Sequence, residues 1–148
     1  MIHYQLKSFN QLTTEQLWSI YQLRVAIFVV EQKCYYQEVD QDDKIAQHLL
    51  GYDDNRNLVS YARLIPENDQ VRIGRVAVAK ENRGHGSGRK LFSQALISVK
   101  SSFPQADQIN IQAQAYLKDF YSSFGFQATS DVYLETGIPH LDMVKLTD

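Results

Sequence analysis

Apolar and polar residues along this chain change period several times, and each change marks an element. Residues 2–9 alternate loosely and predict an opening strand, closed by a polar turn over 8–12. Thr13-x-x-Gln16 has the form of a capping box. Leu17, Ile20, Tyr21, Arg24, Ile27 and Phe28 follow at helical spacing, so a first helix is expected over about 14–30. Residues 34–44 are polar, carry Asp40, Asp42 and Asp43, and read as a loop. Three apolar runs, 45–52, 58–65 and 71–79, are separated by Asp- and Asn-rich turns and predict a strand meander. Leu91, Phe92, Ala95, Leu96 and Val99 share one face of a helix that ends before Pro104. Residues 108–114 read as a strand. Leu117, Phe120, Tyr121 and Phe124 then lie at i, i+3, i+4 and i+7 on a short helix closed by Gly125. Residues 126–134 and 140–146, joined through Gly137 and Pro139, predict a closing hairpin. The order β-α-β-β-β-α-β-α-β-β defines an α/β fold with mixed strand directions.

The junction between the third meander strand and the next helix is the most informative stretch. Gly84, Gly86 and Gly88 fall within five positions, where the missing Cβ atoms let the backbone turn and approach a ligand. The helix that follows offers unpaired N–H groups with partial positive charge, so the junction is a socket for phosphate or pyrophosphate, or else simply a tight turn. Gly84 and Gly86 stand too close for a kinase-type P-loop. Gly84-His85-Gly86-Ser87-Gly88 also fails the dinucleotide spacing G-x-G-x-x-G.

Composition narrows the class. With 148 residues the chain is expected to be one domain over 1–148, and 44% hydrophobic with 22% charged residues is ordinary for a globular protein. A net charge of −2 gives no general attraction to nucleic acid or to an anionic membrane, and the scattered tyrosines lack the basic stripe that single-strand stacking needs. No apolar run approaches a membrane span or a signal-peptide core, so no membrane partner and a cytoplasmic location are expected. Cys34 is the single cysteine, which excludes an internal disulfide and a multi-cysteine zinc site; it reads as a small core or rim residue. A calcium loop starting at Asp40 fails because Ile45 replaces the sixth-position glycine and Gly51 the twelfth-position Glu, so no metal is implied.

Arg83-x-x-Gly86-x-Gly88 resembles the R/Q-x-x-G-x-G/A element of GNAT acyltransferases. The segment from Gln114 to Phe126, ending Phe120-Tyr121-Ser122-Ser123-Phe124-Gly125-Phe126, is similar to that family's N-x-x-A-x-x-L-Y-x-x-x-G-F pattern, with Gln114 and Leu117 departing from its Asn and Ala. Leu23 to Gln32, the acidic Asp40-Gln41-Asp42-Asp43, His48-Leu49-Leu50-Gly51, Ile73-Gly74-Arg75-Val76 and Gly137-Ile138-Pro139-His140 resemble the ElaA-type subgroup. The resemblance covers nearly the whole chain. It implies a GNAT fold: a mixed central sheet of about seven strands, flanking helices, and a splayed central strand pair that admits the cofactor.

It also implies acetyl-CoA as co-substrate and transfer of acetyl to a small-molecule or peptide amine by direct attack. The pyrophosphate would lie on Arg83, Gly84, His85, Gly86, Ser87 and Gly88, and the pantetheine along Val76, Ala77 and Val78, with Gln114 and Tyr121 on the opposite wall. Tyr121 is the candidate general acid at the CoA sulfur, whereas periodicity alone reads it as a core residue. An amine arrives as ammonium, so a base or a water route must take a proton. Glu31 is the first candidate base or a solvated helix-end carboxylate; His48 and His140 are further candidates or strand residues with satisfied hydrogen bonds. Arg75 either balances an acidic acceptor or pairs with a carboxylate such as Asp40. A homodimer is possible on this reading, as is the alternative of a non-catalytic acyl-CoA-binding sensor or assembly module.

Overall fold

Thr13 caps the first helix as its sequence requires. Its Oγ1 accepts from the Gln16 amide at 3.1 Å, and its own amide donates to Gln16 Oε1 at 3.0 Å. The computed structural model describes residues 1–147. Strand β1 (His3–Ser8) precedes helix α1 (Thr14–Val25), which runs without a break into a π-helical segment, Ala26–Glu31. The expected helix over 14–30 is therefore present, but its last turns widen: Gln32 N donates to Ile27 O and Cys34 N to Val29 O, both at 3.1 Å.

Strands β2 (Gln47–Tyr52), β3 (Leu58–Glu67) and β4 (Gln70–Val78) make the expected antiparallel meander with β1. One correction falls before it. Asp40 Oδ1 accepts from the Asp42 amide at 3.1 Å and starts a one-turn helix α2 (Asp42–Ile45), so Ile45 ends a turn, exposed, instead of opening a strand. Helix α3 (Ser87–Ser102), β5 (Gln108–Gln114) and α4 (Lys118–Ser122) follow. The expected first arm of the closing hairpin breaks into β6 (Gln127–Ala128) and β7 (Tyr133–Glu135), each paired with β8 (Ile138–Leu146). Between them Ser130 Oγ accepts from the Asp142 amide at 2.9 Å, a side chain taking the place of a ladder carbonyl. The described residues thus hold an eight-stranded sheet, β1-β2-β3-β4-β5-β8-β6 with β7 beside β8.

Helices cover both faces. Val71, Ile73, Ile109, Ile111, Leu141 and Met143 pack against Leu91, Phe92, Ala95 and Val99 of α3, while Ile20, Leu23 and Ile27 cover Leu50, Tyr61 and Ala77 on the other side. Each of the Val, Ile, Leu, Met and Phe side chains among them contributes about 1.5–3 kcal/mol by leaving water. The two halves of the sheet meet at β4 and β5, which pair in parallel only over Gln70–Arg72 and Gln108–Asn110. Beyond Arg72 the strands diverge.

A charged network lies on the α1 side. Arg24 sits on the apolar face of α1 and is fully buried. Its Nε donates to Glu38 Oε2 at 3.0 Å and its Nη1 to Asp43 Oδ1 at 2.7 Å, and the guanidinium stacks on Tyr21 and Tyr61. Arg63 of β3 forks onto Asp40 at 2.7 and 3.0 Å and shares Asp43 at 3.0 Å. The polar loop ahead of α2 is thereby fastened to the sheet. Substituting Arg24 by Met leaves Glu38 and Asp43 buried without their cation and should destabilise the fold by about 3–5 kcal/mol. Urea denaturation is the measurement, with Arg24→Lys expected to fall between the two; a wild-type midpoint for Arg24→Met would remove the network from the account of stability.

Candidate active site

β4 carries two irregularities that shape a cleft. Tyr61 pairs with Ala77 but Arg63 with Gly74, so Ala62 faces an extra residue, and Arg75 within that bulge takes φ +51°. At the end of β4 the chain passes a single 3-10 turn, Lys80–Asn82, and reaches Gly84 (φ +87°) and Gly86 (φ +76°). Gly86, left-handed, is the N-cap of α3, and no side chain caps the helix. The first helical bond runs from Lys90 N to Gly86 O at 3.0 Å, so the amides ahead of Lys90 lack intrahelical partners. Cβ atoms added to Gly84, Gly86 or Gly88 would meet nothing within 4 Å. The turn is a cradle open to a ligand.

The gap between β4 and β5 forms a cleft of about 840 Å³. Of the residues singled out from sequence, Glu31, Val76, Ala77, Val78, Arg83, Gly84, Gly86, Ser87, Gly88, Gln114, Tyr121 and His140 line this one cleft. His48 and His85 do not. His48 is fully buried: its Nε2–H donates to the Asp43 carbonyl at 2.8 Å, and its Nδ1 accepts from the Tyr61 hydroxyl at 2.6 Å. Both ring nitrogens are used, and burial lowers its pKa, so His48 is a structural strand residue and not an acceptor-side base. His85 is exposed at the apex of the turn and off the cleft wall.

The ring of Tyr121 is held edge-on to Phe92 at 5.0 Å and to Phe120 at 5.1 Å, while its hydroxyl has no hydrogen-bond partner among the described residues. Burial pushes its pKa up to about 12, so it remains a proton donor. His140, opposite Gln114 on β8, sits with Nδ1 2.7 Å from the Ile138 carbonyl. A carbonyl can only accept, so Nδ1 carries the proton and Nε2 the lone pair. The imidazole stacks on Tyr133, whose hydroxyl donates to Asp142 Oδ1 at 2.6 Å.

Glu31 is not a free carboxylate. Arg83 grips it at 2.6 and 2.9 Å and donates from Nε to the Val78 carbonyl at 3.0 Å. The Arg83 hydrogen bonds hold its pKa below the usual carboxylate range, which makes it a weaker base than an unpaired carboxylate. With side chains 39% and 40% exposed, the pair is weak enough to exchange partners. Sequence reasoning missed Arg63, Arg72, Gln112 and Tyr116 on the cleft wall and Arg24 and Glu38 behind it. The available signal was an arginine on an apolar helix face and another in an apolar strand, with one acidic loop to neutralise both. Arg75 does pair as one reading proposed, with Asp40 at 3.6 Å and also with Glu38.

A family model of the acetyltransferase (GNAT) domain matches residues 11–147. A UPF0039 protein of Schizosaccharomyces pombe is 48% identical over 143 residues, covering 96% of this chain and 95% of that protein. Protein ElaA of Escherichia coli is 41% identical over 150 residues, 98% of this chain and 97% of ElaA. The crystal structure of Escherichia coli ElaA matches with a TM-score of 0.91 over 98% of this chain and 99% of that one. That of an acyl-CoA N-acyltransferase from Pseudomonas aeruginosa, 37% identical, matches with 0.92 over the same shares. With its splayed strands and glycine turn, the chain belongs to the GNAT acetyltransferase family.

The buried groups make stability depend on pH in one direction. His48 has a folded pKa below its ordinary 6.5, so the unfolded chain binds a proton first, and the stability present above that value is lost as pH falls. Asp40 is lowered by the Arg63 fork; Asp43 is lowered because Arg24 and Arg63 outweigh its burial, so both lose their contribution as pH drops below 3.8. Unfolding free energy should therefore decline from pH 7 to 5 and again below 3.8, and His48→Gln should flatten the first decline. A pH-independent stability between 7 and 5 would contradict the neutral, buried assignment of His48.

Proposed function

We propose that the chain is an acyl-CoA-dependent N-acyltransferase that transfers acetyl from acetyl-CoA to an amine within one ternary complex. The observation that carries this reading is the single cleft running from the uncapped N-terminus of α3, along the unpaired stretch of β4, to Tyr121 and His140. The amides of Gly86, Ser87 and Gly88 and the Arg83 guanidinium hold the pyrophosphate, and the open space at the glycines fits that role. Strand residues Val76, Ala77 and Val78 supply backbone groups to the pantetheine amides, facing Gln114 across the gap. His140 Nε2 takes a proton from the acceptor ammonium. The neutral amine attacks the thioester carbonyl carbon, a C–N bond forms, and collapse of the tetrahedral species breaks the C–S bond while the nitrogen sheds its second proton, which balances the one that protonates the departing thiolate. Tyr121 donates a hydrogen bond, or its proton, to the departing sulfur. Its raised pKa favours the hydrogen bond over full transfer, since a thiolate is the weaker base.

Calorimetry with acetyl-CoA and thiol release on a mixed amine panel test the two halves of the reading. Gly86→Asp, strained at φ +76° but one of the side chains found most often in the left-handed region, should weaken acetyl-CoA binding by about tenfold or more through anion repulsion. Glu31→Gln should tighten it by about two- to fivefold by freeing Arg83. Unchanged affinity in the folded Gly86→Asp variant would sink the cofactor assignment.

Tyr121→Phe keeps the ring packing and should lower kcat by about 10–1,000-fold with acetyl-CoA affinity intact. His140→Gln should lower kcat/KM for the amine with acetyl-CoA affinity intact. Full turnover in Tyr121→Phe would return that residue to a packing role, and acetyl-CoA binding without any thiol release would leave only a non-catalytic binding module.

A further inference from the structure

The acceptor half of the cleft presents N–H donors that the protein leaves unused. Arg72 donates from Nε to Glu67 at 3.2 Å and from Nη2 to Asp42 at 3.0 Å. Arg75 donates from Nε to Glu38 Oε2 and from Nη2 to the Glu38 carbonyl at 2.8 Å. In both, Nη1 with its two N–H groups has no acceptor among the described residues. Both side chains line the cleft and are about one-fifth exposed, at 22% and 21%. The carboxylates behind them are occupied: Glu38 and Asp43 are buried under Arg24, and Asp40 takes the Arg63 fork. The free guanidinium edges of Arg72 and Arg75 are therefore open to whatever enters, in a cleft that Asp40 and Glu135 also line.

Two backbone features point the same way. Strand alternation would put Arg75 with Ile73 on the core face, but the bulge and φ +51° turn it towards Glu38 and the cleft, a conformation a non-glycine residue adopts only when its surroundings impose it. Gly74, between the two arginines, leaves a dent in the wall, since a Cβ there would meet nothing within 4 Å.

We infer that Arg72, Gly74 and Arg75 form a carboxylate subsite and that the acceptor is a small amino carboxylate, its amine at the thioester and its carboxylate on the two guanidinium edges. This rests on the acyltransferase reading above. Gly74 is two strand residues from Val76, where the pantetheine run ends, a span of roughly 7 Å. That length suits a free α-, β- or γ-amino acid and not a long peptide whose carboxylate lies far from its amine.

The test is thiol release from acetyl-CoA with a panel of α-, β- and γ-amino acids, each beside its amide and its carboxyl-free amine. At least one acid should exceed its own amide by about tenfold or more in kcat/KM. Arg72→Gln, a change at a partly exposed side chain, should raise KM for that acid by about 10–100-fold and narrow the acid-to-amide ratio. Acetyl-CoA affinity measured on the same samples shows that the variant is folded. Equal rates for acid and amide, a ratio unchanged in Arg72→Gln, or acetyl-CoA binding with no carboxylate-bearing amine acetylated would each overturn the subsite. A wild-type protein that fails to bind acetyl-CoA would instead overturn the acyltransferase reading itself.

Discussion

A guanidinium without water must be surrounded by acceptors, and at Arg24 that requirement organises one face of the molecule. Held between Tyr21 and Tyr61 on the apolar side of α1, it draws Glu38 and Asp43 inward. Those two carboxylates in turn receive Arg75 and Arg63, and Arg63 receives Asp40. A polar loop with no regular strand or long helix of its own acquires a fixed path because four of its groups are needed elsewhere. Pairing of this kind adds little net stability over a well-packed apolar core, but it tolerates few alternative arrangements. The acceptor wall of the cleft is consequently built on charge complementarity, while the opposite wall rests on the aromatic packing of Phe92, Phe120 and Tyr121.

The two walls differ in what holds them. On the α3 side the groups that face the cleft are backbone amides and the Tyr121 side chain, positioned by helix geometry and ring packing. On the α1 side they are guanidiniums and an imidazole, positioned by ion pairs and by the Ile138 carbonyl. Glu31 and Arg83 join the walls at the mouth, and their partial exposure keeps that contact exchangeable.

Local signals in the sequence were reliable where the physics is local. The Thr13 box, the buried face of α3 and the turn of the chain at the glycines depend on residues within a few positions of each other, and all three form where the sequence puts them. The failures lie where partners are distant or the pattern is silent. His48 sits in a run buried on both faces, so period gives no clue to which side its ring takes, and its partners are the Tyr61 hydroxyl and the Asp43 carbonyl. Arg24 reaches partners 14 and 19 residues away, a choice fixed only by the loop's path. The break between β6 and β7 turns on one serine hydroxyl that satisfies the Asp142 amide, invisible to strand propensity.

The short parallel seam between β4 and β5 has a consequence for solubility. Past Arg72 and Asn110 each strand presents an unpaired edge, the feature by which proteins recruit foreign strands and aggregate. Here the two edges face each other inside a wedge closed at one end by the seam, and the rest of the sheet shields their outer sides. An intruding chain would have to thread the wedge from its open end past the Glu31–Arg83 contact. Backbone amides left unpaired along the wedge are thus shielded from another polypeptide.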